Sequence, residues 1–170
     1  VLSTRTENEI AEARALLPSP LPSPLGYSLG GDITFGDSTI FMAAGLDALS
    51  PDEARELMDV FPDNSLRDWK HALTALVLPT AEERVAFARR TGAGTTDWED
   101  VIPWIVATGQ KGFGLLVDWL GRGPRDTASL MLQVAAEVGH GPGMTELFLN
   151  ALDSKAADVA AEWIRSHIPQ

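Results

Sequence analysis

The sequence contains a potentially nucleophilic serine set between glycines, in the segment Gly26-Tyr27-Ser28-Leu29-Gly30-Gly31. This spelling matches G-x-S-x-G, the nucleophile elbow of α/β-hydrolases, in which a strand-to-helix turn exposes the serine beside an oxyanion hole. The elbow requires a buried strand before it and a helix after it. Here alternate prolines at 18–24 precede the serine, and a glycine-rich segment follows to residue 37. A serine hydrolase that uses Ser28 is therefore the alternative function, not the first.

The histidines offer little further chemistry. His71, His140 and His167 are the only possible bases for Ser28, and they lie far apart in the sequence without a metal-binding H-x-x-x-H spacing. The run Gly112-Phe113-Gly114 lacks the third glycine and the preceding strand of a dinucleotide fingerprint, and helix packing explains it better. The sequence predicts no metal site, no cofactor and no catalytic residue.

The composition limits the classes of partner. The chain has 24 Asp and Glu against 13 Lys and Arg, a formal net charge of −11, and no cysteine. Because nucleic acids and anionic membranes are bound mainly by Lys and Arg that neutralise phosphates, neither partner is expected. No apolar run reaches the roughly 18 residues of a membrane span. The absence of cysteine fits a reducing compartment, and we expect a cytoplasmic protein.

The acidity also leaves a second alternative, an inhibitor that imitates nucleic acid, which needs carboxylates spaced like phosphates on one face. The chain begins Val1-Leu2-Ser3 without a methionine or a signal peptide, which suggests a processed chain or part of a longer protein.

The first 37 residues are predicted to form an N-terminal strap, and residues 38–170 a helical domain. Residues 3–17 have the spacing of a short amphipathic helix, the prolines at 18–24 favour extended chain lying on the domain, and 26–37 is loop with room for a small hairpin at Ile33–Phe35. The proline segment could instead be a spacer or a ligand for an aromatic groove. Residues 38–49 are apolar on most sides, as in a buried helix.

Capping signals place the next helices. Ser50-Pro51-Asp52-Glu53 joins an N-cap serine, a proline at the first helical position and a glutamate three residues after the cap. Thr80 with Glu83, and Thr96 with Glu99, have the same box spacing. The sequence thus predicts helices over 50–61, 65–77 and 80–91.

Five further helices are predicted, joined by short Gly/Pro turns and therefore antiparallel to their neighbours: 97–108, 110–121, 125–138, 143–152 and 154–167. Pro103 should kink or restart the first of them. Their apolar residues repeat at the 30- to 32-residue spacing of helix pairs. Val101, Ile102 and Ile105 correspond to Met131, Leu132 and Ala135, then to Trp163, Ile164 and His167; Leu115, Leu116 and Leu120 correspond to Leu147, Phe148 and Leu152; Asp126 and Ala128 correspond to Asp158 and Ala160, with Gly109 and Gly139 closing equivalent helices.

Five tryptophans occur at helical spacings among aliphatic residues, which is typical of core positions. Trp104 and Trp119 are nevertheless the candidate binding residues, because an aromatic side chain on the concave face of a repeat can be an interaction hot spot.

Two segments carry a family resemblance, Leu78-Pro79-Thr80-Ala81-Glu82-Glu83-Arg84-Val85-Ala86-Phe87-Ala88-Arg89-Arg90 and Leu152-Asp153-Ser154-Lys155-Ala156-Ala157-Asp158-Val159-Ala160-Ala161-Glu162-Trp163-Ile164. The chain over about 78–168 resembles the large bacterial proteins of the molybdate-metabolism-regulator-like type, which often carry a WGR module, although that module is absent here. The resemblance implies HEAT-type helical repeats and no catalytic residues.

These observations predict an all-α domain of antiparallel helical hairpins stacked as a short HEAT- or TPR-like repeat. The expected function is a non-enzymatic protein-interaction or scaffold module with another protein as partner.

Overall fold

A computed structural model of the chain describes residues 6–15, 25–27, 33–35, 49–66 and 72–167. Within these ranges the α-helices are α1 (Glu7–Ala15), α2 (Pro51–Asp59), α3 (Ala81–Thr91), α4 (Val101–Thr108), α5 (Phe113–Leu120), α6 (Arg125–Val138), α7 (Gly143–Ala151) and α8 (Ala157–His167). Short 3₁₀ helices cover Ala72–Val77, Trp98–Asp100 and Gly109–Gly112. One antiparallel hairpin joins β1 (Leu25–Tyr27) and β2 (Ile33–Phe35), with Gly26 opposite Thr34. The fold is all-α, as the sequence predicts.

Two helix starts are set by the predicted capping boxes. At α2, Ser50 Oγ accepts from Glu53 N at 3.3 Å while Glu53 Oε2 accepts from Ser50 N at 2.8 Å. At α3, the corresponding distances between Thr80 and Glu83 are 3.2 and 3.1 Å. Each box satisfies two amides that have no partner inside the helix, which is why these helices begin where the sequence places them.

The third predicted box, Thr96 with Glu99, is wrong. No side-chain cap precedes the 3₁₀ helix at Asp97. The buried Thr95 supplies the polar contacts instead: its Oγ1 accepts from Asp97 N at 2.9 Å and donates to Asp100 Oδ2 at 2.6 Å. A buried hydroxyl must have hydrogen-bond partners, so the hydroxyl that bonds to this turn belongs to the residue before the predicted one.

The helix predicted over 65–77 is corrected at its two ends, and its middle, 67–71, lies outside the described residues. Residues 72–77 form a 3₁₀ helix, and the chain before residue 67 turns through Asn64, whose φ is 57°. Amides there bond to the end of α3, Asn64 N to Arg90 O at 2.9 Å and Leu66 N to Thr91 O at 2.8 Å, so tertiary bonds replace helical ones. Pro103 lies in the first turn of α4, where no helical donor is lost, so the helix restarts at Val101 and needs no kink.

Several N-terminal predictions fall outside the described residues. These are the proline segment 18–24, most of the helix over 38–49 and the boundary between the two predicted domains. The predicted first helix and the hairpin strand at Ile33–Phe35 are confirmed. No residue of α1 is buried, and Arg14 Nη2 pairs with Glu53 Oε1 at 2.6 Å, which ties α1 to the start of α2.

From α3 onward the helices form two layers, here called the helical stack. In one layer α4 packs on α6 and α6 on α8; in the other α5 packs on α7, and α3 contacts the 3₁₀ helix that leads into α5. Contacts of α5 with α6 and of α7 with α8 join the layers. The largest fully buried side chains between them are Trp104, Trp119, Phe148, Leu116, Leu120, Met131, Leu132 and Leu147.

Burial tests the predicted repeat alignment. At the 32-residue spacing, Leu115 and Leu116 are buried like Leu147 and Phe148, and Ala128 is buried like Ala160, although Leu120 is buried and Leu152 exposed. The predicted alignment of α4 with α6 matches in burial at two of its three pairs, Val101 with Met131 and Ile105 with Ala135, and fails at the third, because Ile102 is exposed and Leu132 buried. The buried positions of α4 instead match those of α6 in the pairs Val101 and Ala128, Trp104 and Met131, Ile105 and Leu132, Thr108 and Ala135. The two alignments differ by about one helical turn, which leaves the apolar spacing similar.

Cationic side chains join successive helix ends in one layer. Arg90, near the end of α3, donates to the carbonyls of Phe61 and Met58 beyond and near the end of α2. Arg122, after α5, donates to Gly92 O at 3.0 Å, and Lys155, after α7, donates to Gly123 O at 2.7 Å. Arg90 lies 29 positions after Phe61, Arg122 lies 30 positions after Gly92, and Lys155 lies 32 positions after Gly123. Cations stabilise the free carbonyls at helix C-termini, so one device recurs at each step of the stack.

Candidate functional site

The hydrolase motif is not assembled in the described residues. Ser28 and His71 lie outside them. The strand β1 is followed by an antiparallel strand, whereas a nucleophile elbow belongs to a parallel sheet and is followed by a helix. His140 is exposed in a turn, and His167 is exposed at the end of α8.

A serine and a histidine do meet at the end of α8. Ser166 Oγ lies 2.8 Å from His167 Nδ1, but it also lies 2.9 Å from Trp163 O and 3.1 Å from Glu162 O. The serine hydroxyl has a single proton, which it donates to the backbone carbonyls, and both side chains are exposed. The pair therefore satisfies carbonyls at the end of the helix and is not an activated nucleophile.

The predicted binding residues Trp104 and Trp119 require correction. Both are 0% exposed, their ring centroids lie 4.8 Å apart, and Trp104 Nε1 donates to Gly112 O at 3.1 Å. A partner cannot touch either ring in this conformation. Both tryptophans are core residues, because α4 and α5 bring their side chains together between the two layers.

An exposed apolar stripe lies on the outer side of α4 instead. Trp98, Ile102 and Val106 follow one another at four-residue intervals and are 39, 41 and 55% exposed. Ile102 and Val106 lie on the side of α4 opposite its buried residues, and Trp98 lies in the 3₁₀ helix that leads into α4; these three exposed residues are here called the α4 stripe. The sequence shows their apolar character but cannot show which side of α4 is covered.

A cleft opens in the other layer, among α3, α5 and α7. Its volume is about 280 Å³, and its lining combines apolar side chains with amides and charges: Arg89, Gln110, Lys111, Phe113, Gly114, Val117, Gly143, Glu146, Leu147 and Asn150. Phe113, Gly114 and Val117 belong to α5 in the middle, with α3 and α7 as the walls. We refer to it as the Gly114 cleft.

The two glycines beside this cleft differ in how closely neighbouring side chains approach them. A Cβ on Gly112 would come within 2.5 Å of Trp104 Nε1, so helix packing requires glycine there, as predicted. A Cβ on Gly114 would meet only Arg89 Nη2, at 3.7 Å, which is ordinary contact. The packing explanation from the sequence therefore holds for Gly112 and is wrong for Gly114.

The charges around the cleft are unevenly paired. Lys111 Nζ pairs with Glu82 Oε1, and this bond lowers the pKa of the Glu82 carboxyl. Arg89 has no carboxylate partner among the described residues. Its guanidinium lies over Gly114 and is exposed, so an anion can reach it.

Among the described residues, no three His, Asp or Glu side chains cluster closely enough to hold a metal ion. No helix in the described ranges has both the length and the apolar character to cross a membrane. Comparison with known proteins finds no matching family model, no matching curated protein and no matching solved structure.

Proposed function

We propose that this chain is a non-enzymatic helical-repeat module of the HEAT or TPR kind, which binds or scaffolds another protein through the α4 stripe. The stripe is the observation that carries the proposal. A tryptophan before α4 and two aliphatic side chains on α4, all exposed, resemble the apolar centre of a protein interface, where aromatic anchors contribute most of the binding energy.

Two features support a repeat architecture. The bridges from Arg90, Arg122 and Lys155 recur at intervals close to the 32-residue burial match between α5 and α7. The resemblance of residues 78–168 to the molybdate-metabolism-regulator-like proteins implies the same kind of repeat. A stack of this kind presents a long outer surface on which one helix face can be reserved for a partner.

The charge near the stripe indicates the partner's chemistry. Asp97 and Glu99 flank Trp98, and the chain carries a net charge of −11. A partner that meets the stripe with an apolar patch surrounded by Lys and Arg gains attraction from both features. Its association rate should fall as salt rises, because exposed charges are screened over about 10 Å at 0.1 M salt.

The test compares Val106→Glu with Leu149→Glu. Val106 and Leu149 have similar exposure, but Leu149 lies on α7, away from the stripe. With a photo-crosslinking residue placed at 102 in each variant, native-cell extract should yield a crosslinked partner from the parent and from Leu149→Glu. The yield from Val106→Glu should fall at least about tenfold, the loss expected for a buried interfacial charge.

Three results would count against the proposal. Equal crosslinking in both variants would show that the stripe is not the contact. Labelling of Ser28 by a fluorophosphonate probe that requires the folded chain would favour the hydrolase. Displacement of DNA from a basic enzyme by the chain would favour the acidic inhibitor.

A further inference from the structure

The Gly114 cleft contains a glycine that the fold does not need. An exposed glycine inside a helix costs about 0.5–1 kcal/mol relative to alanine. Gly114 lies in the first turn of α5, its φ is not among the positive ones, and a Cβ there would meet only the flexible end of Arg89. Neither backbone conformation nor packing accounts for it. What the glycine does provide is open helix backbone at the middle of the cleft.

The floor around Gly114 is apolar. Phe113 and Leu147 are almost fully buried beneath the lining, and Val117 on α5 is partly exposed, so a ligand side chain would find its apolar contact at Val117. The volume of about 280 Å³ is just below the range of about 300–1,000 Å³ typical of small-molecule sites. It has room for one or two residues of a peptide and not for a longer run of chain.

The walls are polar and of opposite sign. Arg89 on α3 has a guanidinium without a carboxylate partner among the described residues, and Glu146 on α7 lies on the opposite wall. Gln110 and Asn150 add amide groups that can both donate and accept. A guanidinium suits a carboxylate best, since it can donate two parallel hydrogen bonds to it.

We propose that the Gly114 cleft binds the carboxyl terminus of a peptide that ends in an aliphatic residue. The terminal carboxylate pairs with Arg89, the peptide backbone lies over Gly114 with its amides bonded to Gln110 and Asn150, and the last side chain packs on Val117. A C-terminal residue offers carboxylate, amide and side chain within one residue, as the small volume requires. An internal acidic side chain would need chain entering and leaving the cleft.

This site is separate from the α4 stripe. The stripe lies on the layer of α4, α6 and α8, whereas the cleft lies among α3, α5 and α7. A change in the stripe such as Val106→Glu should leave peptide binding in the cleft unaltered, so either proposal can fail without the other.

The experiment measures fluorescence polarisation with a fluorescein-labelled pentapeptide that ends in leucine with a free carboxylate. Its two controls are the same peptide with a terminal carboxamide and an amidated peptide with aspartate before the leucine. The free carboxylate should bind at least about tenfold more tightly than either, the difference expected for hydrogen bonds to a charged group.

Charge-matched variants identify the cation. Arg89→Gln should abolish the preference for the free carboxylate, whereas Arg165→Gln, which removes the same charge from exposed α8, should retain it. Equal binding of free and amidated peptides, equal loss in the two variants, or no binding of the free peptide at millimolar concentration would each overturn the proposal.

Substitutions of Gly114 provide a test in which loss of peptide binding cannot be attributed to misfolding. Gly114→Ala and Gly114→Leu should keep or raise the unfolding midpoint, because both are better helix formers, while Gly114→Leu fills the cleft and abolishes peptide binding. If Gly114→Leu binds the peptide as well as the parent does, the ligand does not lie over this glycine and the proposal is wrong.

Discussion

Tryptophans at the centre and at the end of the helical stack have different surroundings. Trp104 and Trp119 pair inside it with no exposed surface. Trp163 on α8 stacks on Phe148 with centroids 4.1 Å apart and with His167 at 4.4 Å, and it stays partly exposed. The same residue type thus contributes core packing in one region and a surface stack in the other.

This difference extends to what holds each region together. The centre is apolar, and its described charges lie on the outside. The ends depend on polar contacts: the Ser50–Glu53 box and the Arg14–Glu53 pair at α2, and the pair of Arg125 with Asp158 at 2.7 Å at α8. The centre should therefore be sensitive to lost volume, and the ends to pH and salt.

The largest expected effect comes from truncating the tryptophans. Trp104→Ala or Trp119→Ala should lower the free energy of unfolding by about 3–5 kcal/mol, since each leaves a cavity between two helical layers. Trp163→Ala should cost about 1–2 kcal/mol, because less area leaves water and the solvent can fill the gap. Urea unfolding followed by circular dichroism measures the three values. Equal losses at all three positions would remove the distinction between centre and end.

A finer test separates the two central tryptophans. Trp104 Nε1 donates to Gly112 O, whereas Trp119 Nε1 is buried without a hydrogen-bond partner among the described residues. Trp104→Phe removes volume and the hydrogen bond to Gly112 O, but Trp119→Phe removes a similar volume together with an unpaired donor. Trp104→Phe should thus be less stable than Trp119→Phe by about 1–3 kcal/mol. The reverse order in urea unfolding would mean that Trp119 Nε1 has a partner, such as a bound water.

Local signals in the sequence predict the helices well and their surroundings poorly. The boxes at Ser50 and Thr80 and the glycines after α4 and α6 specify helix ends through bonds among neighbouring residues, and these predictions are confirmed. The predicted box at Thr96 is wrong because tertiary packing buries Thr95, and that burial determines which hydroxyl bonds to the turn.

The candidate sites depend on tertiary facts throughout. Trp104 and Val106 are both apolar residues of α4, and only the positions of the neighbouring helices determine that the first is covered and the second exposed. Arg89, Gly114 and Asn150 are far apart in the sequence and meet through the packing of α3, α5 and α7. Gly114, two residues after Gly112 at the start of an apolar helical pattern, is the one signal that points to this cleft.

Acid should loosen the α2 end before the centre. Bonds from the Ser50 backbone and hydroxyl, with help from Arg14, lower the pKa of the Glu53 carboxyl to about 2. Because this pKa lies below the ordinary value of 4.5, the carboxylate contributes stability above pH 4.5 that is lost as the pH falls toward 2. NMR titration should show the helical shifts of α2 fading in this window before those of α5. In Glu53→Gln this difference in order should disappear; if it persists, another group controls the α2 end.

The smallest effect is expected at the α8 end, where Arg125 and Asp158 pair on the surface. Both side chains are more than half exposed, so the pair should contribute little to stability, and 1 M salt should remove most of that contribution. Asp158 also lies in the first turn of α8, where a carboxylate favours the helix dipole. At low salt Asp158→Asn should therefore lower the urea midpoint slightly more than Arg125→Gln does. Equal costs would mean that the pair alone matters, and an undiminished cost in 1 M salt would mean that the α8 end is held by packing like the centre.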